Sequence, residues 1–300
     1  YTHDHAQWTV GSYGNNDVHT PHMDRLATEV GVDRVEIRRR NLVTTEAMPF
    51  ANPLGMTYDS GEYHHTLDRA LEITDWVGFA GRRAASEARG LKRGLGISSY
   101  IESSSGAPRE RAEIVVSGNQ TVEVVIGTQS SGQGHETSFC QVAAEWLGVP
   151  FDTVTLKQGD TAFVSVGGGS HSGRSMRMAG TVIVMAGDIL IEKGKRLAGL
   201  VLEAAASDID FVDGAFTIKG TDRTIGMFEL AAAIEDRTDL PKDLQDGLSS
   251  EAENVMRTPA FPYGTHICEV EIDPETGALS LDRYGCVDDV GRVINPTIVD

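Results

Sequence analysis

The spacing of apolar positions changes period several times along the chain. Met23, Leu26, Ala27 and Val30 recur at helical spacing, and Val35 and Ile37 carry the pattern on to Asn41; this predicts helix over 23–41. Gly31 should split it in two, since glycine is costly inside a helix, and the i,i+4 pair Glu36 and Arg40 supports the second piece. Leu67, Ala70, Leu71 and Ile73 predict a further helical stretch over 66–89, broken at 90–96, with a short apolar strand over 97–101. Segments 112–116 and 121–126 flank Ser117-Gly118-Asn119-Gln120 and read as a hairpin. Segment 137–147 reads as helix, stopped by Gly148-Val149-Pro150, and 151–157 as strand. A long helix covers 174–205, weakened at Gly180, Gly187, Gly194 and Gly199. Asp213-Gly214 turns a second hairpin between 210–212 and 215–218, and a short amphipathic helix follows over 225–234. Segment 235–254 is polar and reads as a surface excursion. Strands over 266–272 and 278–289 follow, while 1–22 reads as loop and 49–60 as a turn-rich crossing. The sum is an α+β chain of hairpins and helices without a regular βαβ alternation.

Composition narrows the functional classes. The formal charge is −18 over 300 residues, a field that repels nucleic acid and anionic membranes, so any anionic ligand must be held by local donors. Cys140, Cys268 and Cys286 are the three cysteines. They are widely separated and lack the C-x-x-C spacing of a zinc or iron–sulfur site, which points to a reducing, cytoplasmic compartment. No apolar run reaches transmembrane length and no signal peptide is visible. The chain starts at Tyr1 rather than Met, and is expected to be a piece of a longer protein.

One feature occurs twice. The loop Gly127-Thr128-Gln129-Ser130-Ser131-Gly132-Gln133-Gly134 runs into a predicted helix at His135-Glu136-Thr137, and Gly167-Gly168-Gly169-Ser170-His171-Ser172-Gly173 runs into another at Arg174-Ser175. A helix start exposes unpaired N–H groups and partial positive charge, and glycines let the backbone approach a ligand closely. Two such starts would clamp a pyrophosphate or an extended dinucleotide, and Arg174 would add a bidentate contact. Flexible loops with ordinary caps fit the same residues, and the pattern alone leaves both readings open. Neither loop is a Walker A or a Rossmann fingerprint.

The segment GTQSSGQGHETSFCQVAAEWLGVP (127–150) resembles the cofactor-binding segment of the large subunit of xanthine oxidase/aldehyde oxidase-type molybdenum hydroxylases. VGGGSHSGRSMRMAG (166–180) is similar to that family's second cofactor loop, and VDDVGRVINP (287–296) to a later strand-and-loop signature. VEIRRRNLV, YDSGEY (58–63) and GLGISSYIE (94–102) match in the same order, so the resemblance covers 23–300.

That resemblance implies the family's mixed sheets with flanking helices, the tail of a first molybdenum-binding domain over 1–65 and most of a second over 66–300. It implies molybdenum on molybdopterin, in bacterial members usually as the cytosine dinucleotide. Gln133, Gly134 and His135 would bond the pterin or its phosphate, and Thr137 would take phosphate. Ser172, Gly173, Arg174 and Ser175 would meet the cofactor from the other side, and Asn295 would border the nucleotide end beside Asp288 and Asp289. Ser99 and Tyr100 fall where the family lines its substrate channel; Tyr100 as a half-buried strand residue is an equal reading. The implied reaction is hydroxylation of an aldehyde or N-heteroaromatic compound with oxygen from water, electrons passing to iron–sulfur and FAD partner subunits, commonly in a dimer of heterotrimers.

The family's general base is a Glu in a G-x-G-E segment downstream of the matched region, so no catalytic residue is assigned; Glu102 and Glu136 are poor substitutes. An Arg-containing loop is usual before the RRRN helix, whereas 8–22 contains no Arg. A catalytically inactive cofactor-binding or assembly module, or a phosphate-binding protein without molybdenum, therefore stands as an alternative. So does a carbon monoxide dehydrogenase-type large subunit, which would need a copper-binding Cys that 1–22 lacks. His3, His5, His19, His22, His64 and His65 have no accompanying ligand pattern and no metal site is assigned to them. Arg38-Arg39-Arg40 splays around a helix and reads as salt-bridged. Cys140 reads as a small buried residue rather than a nucleophile.

Overall fold

The computed structural model describes residues 16–53, 55–104 and 106–299, with side chains from residue 22 onward. The chain forms two compact units, one of residues 1–104 with 259–292 and the other of 105–258 with 293–300. Residue 66, the expected start of the second family domain, lies inside the helix Tyr63–Ile73, and the compact units divide elsewhere.

The first unit begins with α1 (Asn16–Val30) and α2 (Arg34–Asn41). The expected break is present: Gly31 takes φ 68°, and Asp33 caps α2 by accepting from the amides of Val35 and Glu36 at 2.8 and 3.1 Å. Residues 16–22, expected as loop, belong to α1, and 1–15 lie outside the described residues. A two-residue ladder joins β1 (Phe50–Ala51) and β2 (Thr57–Tyr58) within the expected turn-rich crossing. The stretch expected as one helix over 66–89 is two, α3 (Tyr63–Ile73) and α4 (Phe79–Glu87), because Asp75 adopts a left-handed conformation and caps a 3-10 turn at Gly78.

Both helices pack on an antiparallel sheet in which β11 (Tyr263–Ile272) lies between β3 (Lys92–Ile101) and β12 (Leu279–Asp289). Val35, Leu67, Ala70, Ile97 and Ile267 form the core beneath them. The strand expected over 97–101 starts five residues earlier, since Gly94 and Gly96 pair with Val270 and Cys268 despite their low strand propensity. Beside that core lies a network of charges. Glu269 is 1% exposed and accepts from Arg82 Nε at 2.9 Å and from Arg93. Arg93 also pairs with Asp282 at 2.6 Å and Glu271 at 3.0 Å.

The second unit is built on four strands in the order β10 (Ser249–Val255), β4 (Arg109–Ser117), β5 (Thr121–Ile126), β6 (Val154–Lys157). The β4–β5 hairpin is as expected. In contrast, β6 runs parallel to β5, with Val122 opposite Val154 and Val125 opposite Lys157. Parallel neighbours need a crossover, here α5 (His135–Leu147), so the chain contains one βαβ unit that the hairpin reading did not include. The 28-residue α6 (Ser175–Leu202) packs beside α5, where a side chain on Gly187 would strike Trp146. Phe139, Leu147, Val182, Ile183, Ala186 and Leu190 lie in one core with Ile114, Val124 and Ile126; each large side chain buried there contributes about 1.5–3 kcal/mol.

The second hairpin, β7 (Ile209–Val212) with β8 (Ala215–Ile218), gains a third strand, β9 (Thr224–Gly226), before α7 (Met227–Ile234). Segment 235–254 is not a surface excursion. Leu240, Leu244 and Leu248 are buried, and β10 pairs along its whole length with β4. Its sequence, SSEAENV, conceals this because it is an edge strand with only Ala252 turned fully inward. Among the described residues no helix is long and apolar enough to cross a membrane.

Candidate functional site

The parallel pairing of β5 and β6 decides where the two glycine-rich loops go. Val125 lies opposite Lys157, so the loop after β5 and the loop after β6 leave the same end of the sheet at the same level. This is the strand end where open α/β sheets hold ligands. The loops then touch throughout their course. Ser130 donates its amide to Gln158 Oε1 at 3.1 Å, and Gln158 Nε2 donates to Glu136 at 3.0 Å. The Ser170 hydroxyl donates to the Gln129 carbonyl and lies 3.4 Å from His135 Nδ1. Gly127 packs so closely on Gly167 that a methyl group on either would overlap the other's backbone. Glycine at both positions is therefore a requirement of close approach.

Behind the loops lies a buried ion pair. Arg174 and Glu110 are each 0% exposed, with Nη2 donating to Oε2 at 3.0 Å. The guanidinium also donates from Nε to Ala107 O (2.9 Å), from Nη1 to Thr128 Oγ1 (3.2 Å) and Gly169 O, and from Nη2 to Arg109 O (3.3 Å). All five of its hydrogens are thus spent inside the unit. Glu110 Oε2 accepts in addition from the Thr128 hydroxyl at 2.6 Å and the Gly168 amide at 3.3 Å. The side chain of Arg174, expected to contact a ligand, instead faces inward: buried beside a buried carboxylate, it has no donor left to offer one.

The donors that face outward at the two turns are uncharged side chains and backbone amides, with the Glu136 carboxylate also exposed in the first turn of α5. The N-cap of α5 is Gly134, at φ 75° and with no side-chain cap; the N-cap of α6 is Arg174, also without one. Gln133 and Thr137 are exposed at the first helix start, and Ser172 and Gly173 at the second, where they hold φ 48° and 62°. Ser175 is half-buried as the first residue of α6. The Gln133 side-chain oxygen Oε1 accepts from the Ser131 amide. The Ser130 hydroxyl is shielded from solvent and makes no well-aligned hydrogen bond. Since α5 meets α6 near Leu147 and Gly187, twelve residues in from each start, and the loops meet at His135 and Ser170, the helices run parallel. Their positive ends therefore act together. An anion with several oxygens, such as a pyrophosphate ester, suits this donor set.

His135 is 5% exposed and stacks on Phe139 at 4.5 Å and 14°. Burial lowers its pKa, against the opposing effects of Glu136 and the Gln129 carbonyl, so the ring is neutral at pH 7 and joins the two loops rather than presenting a charge. Because the pKa is depressed on folding, the unfolded chain takes up the proton first, and the stability this group confers falls as pH drops below about 6.5. The His135 ring resonances are expected to titrate below that value by NMR, and titration at or above it would contradict the buried stacking.

Asn295 Nδ2 donates to Gln141 Oε1 at 2.8 Å, and its Oδ1 caps the short α8 (Pro296–Val299) through the Ile298 amide at 3.1 Å. Ile298 in turn sits over Gly134. The segment from 293 thus flanks the first helix start, and Asn295 belongs to the same unit as both loops.

Ser99 and Tyr100 lie in the other unit. Ser99 Oγ is 3.0 Å from Thr265 Oγ1. Tyr100 donates to Asp288 Oδ1 at 2.7 Å, and the same oxygen lies 3.0 Å from His266 Nε2, whose Nδ1 is 2.6 Å from the Tyr284 hydroxyl. Burial and the Asp288 carboxylate both raise the Tyr100 pKa, keeping it a donor. Pattern reasoning missed His266 and Tyr284; the register that places them on one face with Tyr100 is the only signal that would reveal them. Asp288 and Asp289 are also in this unit, Asp289 accepting from Tyr263 at 2.8 Å. Glu102, in the same unit, is half-buried and its pKa is raised by desolvation. Cys140 is buried. Arg38, Arg39 and Arg40 pair with Asp24, Asp68 and Glu36. His3, His5 and His19 lie outside the described side chains; among those described, no cluster of His, Cys, Asp and Glu is arranged to hold a metal ion.

The model of a molybdopterin cofactor-binding domain matches residues 69–300. The chain is 32% identical over 278 residues to the 6-hydroxypseudooxynicotine dehydrogenase complex subunit gamma of Paenarthrobacter nicotinovorans, covering 91% of this chain and 35% of that protein. It is 31% identical over 296 residues to the carbon monoxide dehydrogenase large chain of Hydrogenophaga pseudoflava, covering 93% and 36%. Among solved structures, quinoline 2-oxidoreductase from Pseudomonas putida 86 superposes with a TM-score of 0.79 at 33% identity, over 92% of this chain and 37% of that one. The chain thus spans little more than a third of the length of these relatives. With the α+β fold and both loop-to-helix junctions inside the matched region, the chain belongs to the molybdopterin-binding large subunits of the xanthine oxidase family of molybdenum-dependent oxidoreductases.

Proposed function

We propose that this chain is the cofactor-holding part of a molybdenum hydroxylase large subunit acting on an N-heteroaromatic compound or an aldehyde. The observation that carries this is the pair of uncapped, parallel helix starts at one end of a sheet. Each supplies about 0.3–1 kcal/mol toward an anion, more where water is excluded. Gln133, the amides of Gly134 and His135, and Thr137 would hold the pterin and its phosphate from α5; Ser172, Gly173 and Ser175 would hold it from α6. Arg174 would serve by shaping both turns, and Asn295 would border the nucleotide end. The cofactor, when bound, supplies the two-electron chemistry of hydroxylation with oxygen from water. The cytosine dinucleotide form is the one usual in bacterial relatives with a separate large subunit.

The N-heterocycle reading draws on the quinoline and 6-hydroxypseudooxynicotine enzymes among the relatives. Carbon monoxide chemistry stays second, since residues 1–22 contain no cysteine for a copper site. Iron–sulfur and FAD subunits would take the electrons, in a dimer of heterotrimers; relatives named as a gamma subunit and a large chain favour such a complex. The tail of a first molybdenum-binding domain over 1–65 and a second over 66–300 fit the match that begins at residue 69. The free cysteines suit a cytoplasmic setting.

The test is to purify the complete complex from a molybdate-replete host and measure molybdenum, oxidised-pterin fluorescence, released CMP, and turnover of N-heterocycles and aldehydes. Molybdenum and pterin without turnover would leave the inactive cofactor module; neither molybdenum nor pterin would overturn the whole reading.

A further inference from the structure

We propose that the buried cluster of Glu110, Thr128 and Arg174 is a positioning device that fixes the spacing of the two anion-binding turns. This rests on the cofactor-site reading above, and assigns to three residues a role distinct from touching the ligand.

The first argument is connectivity. Arg174 ties the start of α6 to Ala107 and Arg109 beside β4, to Thr128 in the first loop and to Gly169 in the second. Glu110 ties β4 to Thr128 and to the Gly168 amide. Thr128 Oγ1 is the shared point: it donates to Glu110 at 2.6 Å and accepts from Arg174 at 3.2 Å. Every bond from the cluster that reaches a loop crosses to a different element. Moving either loop against the other breaks at least one of them.

The second argument is energetic. All three side chains are 0% exposed. Taking two charges out of water costs what their attraction repays, so an apolar pair of similar size would serve stability as well. An ion pair in such a place adds little net stability, and fixing a geometry is the role its bonds describe. The third argument concerns the loops. Apart from this cluster, the Ser170–Gln129–His135 contact and the Gln158 bridge from Ser130 to Glu136, the first loop is glycine, serine and glutamine, and the second is glycine, serine and His171. Such segments lose much entropy when a ligand orders them, and a scaffold that holds them beforehand removes that loss. The pair's own charges cancel, so its effect on an anion is exerted through the placement of the turns.

The experiment compares Thr128→Val, which keeps shape and loses the hydroxyl, with Thr128→Ser, which keeps the hydroxyl. Inorganic pyrophosphate is the probe, its affinity for the full chain measured by calorimetry alongside the melting temperature. Thr128→Val is expected to bind pyrophosphate at least tenfold more weakly while melting within a few degrees of wild type, and Thr128→Ser to bind within threefold of it. The apolar exchange Glu110→Leu with Arg174→Met is the second variant should Thr128→Val not fold, with the same loss of affinity expected. A folded Thr128→Val that binds as tightly as wild type overturns the positioning role and leaves the site reading standing. Wild-type protein that fails to bind pyrophosphate overturns both.

Discussion

Replacing Arg174 alone with methionine is expected to lower the unfolding free energy of the second unit by about 3–5 kcal/mol, because it strands the Glu110 carboxylate in an interior with no counter-charge. Glu110 keeps its bonds to the Thr128 hydroxyl and the Gly168 amide, which places the cost nearer the lower end. The double replacement Glu110→Leu with Arg174→Met should recover most of the loss, since neither charge is then left behind. Of the three tryptophans, Trp146 lies in the second unit and Trp76 in the first, while Trp8 lies outside the described residues. Urea denaturation followed through Trp146 emission, with Trp8 and Trp76 replaced by phenylalanine in every protein compared, measures the effect where it is expected. A single variant as stable as wild type would show that the pair is not buried as described.

Glu269→Ala is expected to destabilise the first unit by about 3 kcal/mol, since it leaves Arg82 and Arg93 facing a site that is closed to water. Both arginines keep other partners, Asp75 for Arg82 and Glu271 and Asp282 for Arg93, which limits the loss. The pH dependence has a definite sign. Bonding to Arg82, and then to Arg93, holds the Glu269 carboxyl below its ordinary pKa against the effect of burial. Its contribution is therefore complete above the unfolded value of about 4.3 and is lost as pH falls through the lower folded value. Wild type should lose stability steeply across that acidic window, and Glu269→Ala less so. Trp76, which carries the Arg34 guanidinium at 4.6 Å over its ring, reports on this unit once Trp8 and Trp146 are replaced by phenylalanine in both proteins; acid unfolding curves of equal slope in the two proteins would refute the assignment.

Local chemistry made much of the site legible. Gly134 and Gly148 bound α5 because only glycine takes left-handed backbone cheaply at both ends of a helix. Likewise Ser117-Gly118-Asn119-Gln120 announced the β4–β5 turn. The long α6 survived four interior glycines because several of them, Gly187 and Gly194 among them, are contact points for Trp146 and Phe216. Other features had no local signal. A polar stretch such as 249–255 reads as strand only once β4 is there to pair with it, and Arg174 reads as a surface donor until its five acceptors are assembled around it.

From residue order alone came the two glycine-padded helix starts, the neutral donors beside them and the family they resemble, because backbone conformation and helix-end polarity are set within a few residues. Tertiary structure alone decided that the two starts share one end of a sheet, because the parallel register of Val122 with Val154 joins segments 32 residues apart. It also decided that Arg174 turns inward, because a guanidinium's direction depends on which carboxylate and carbonyls the fold brings to it.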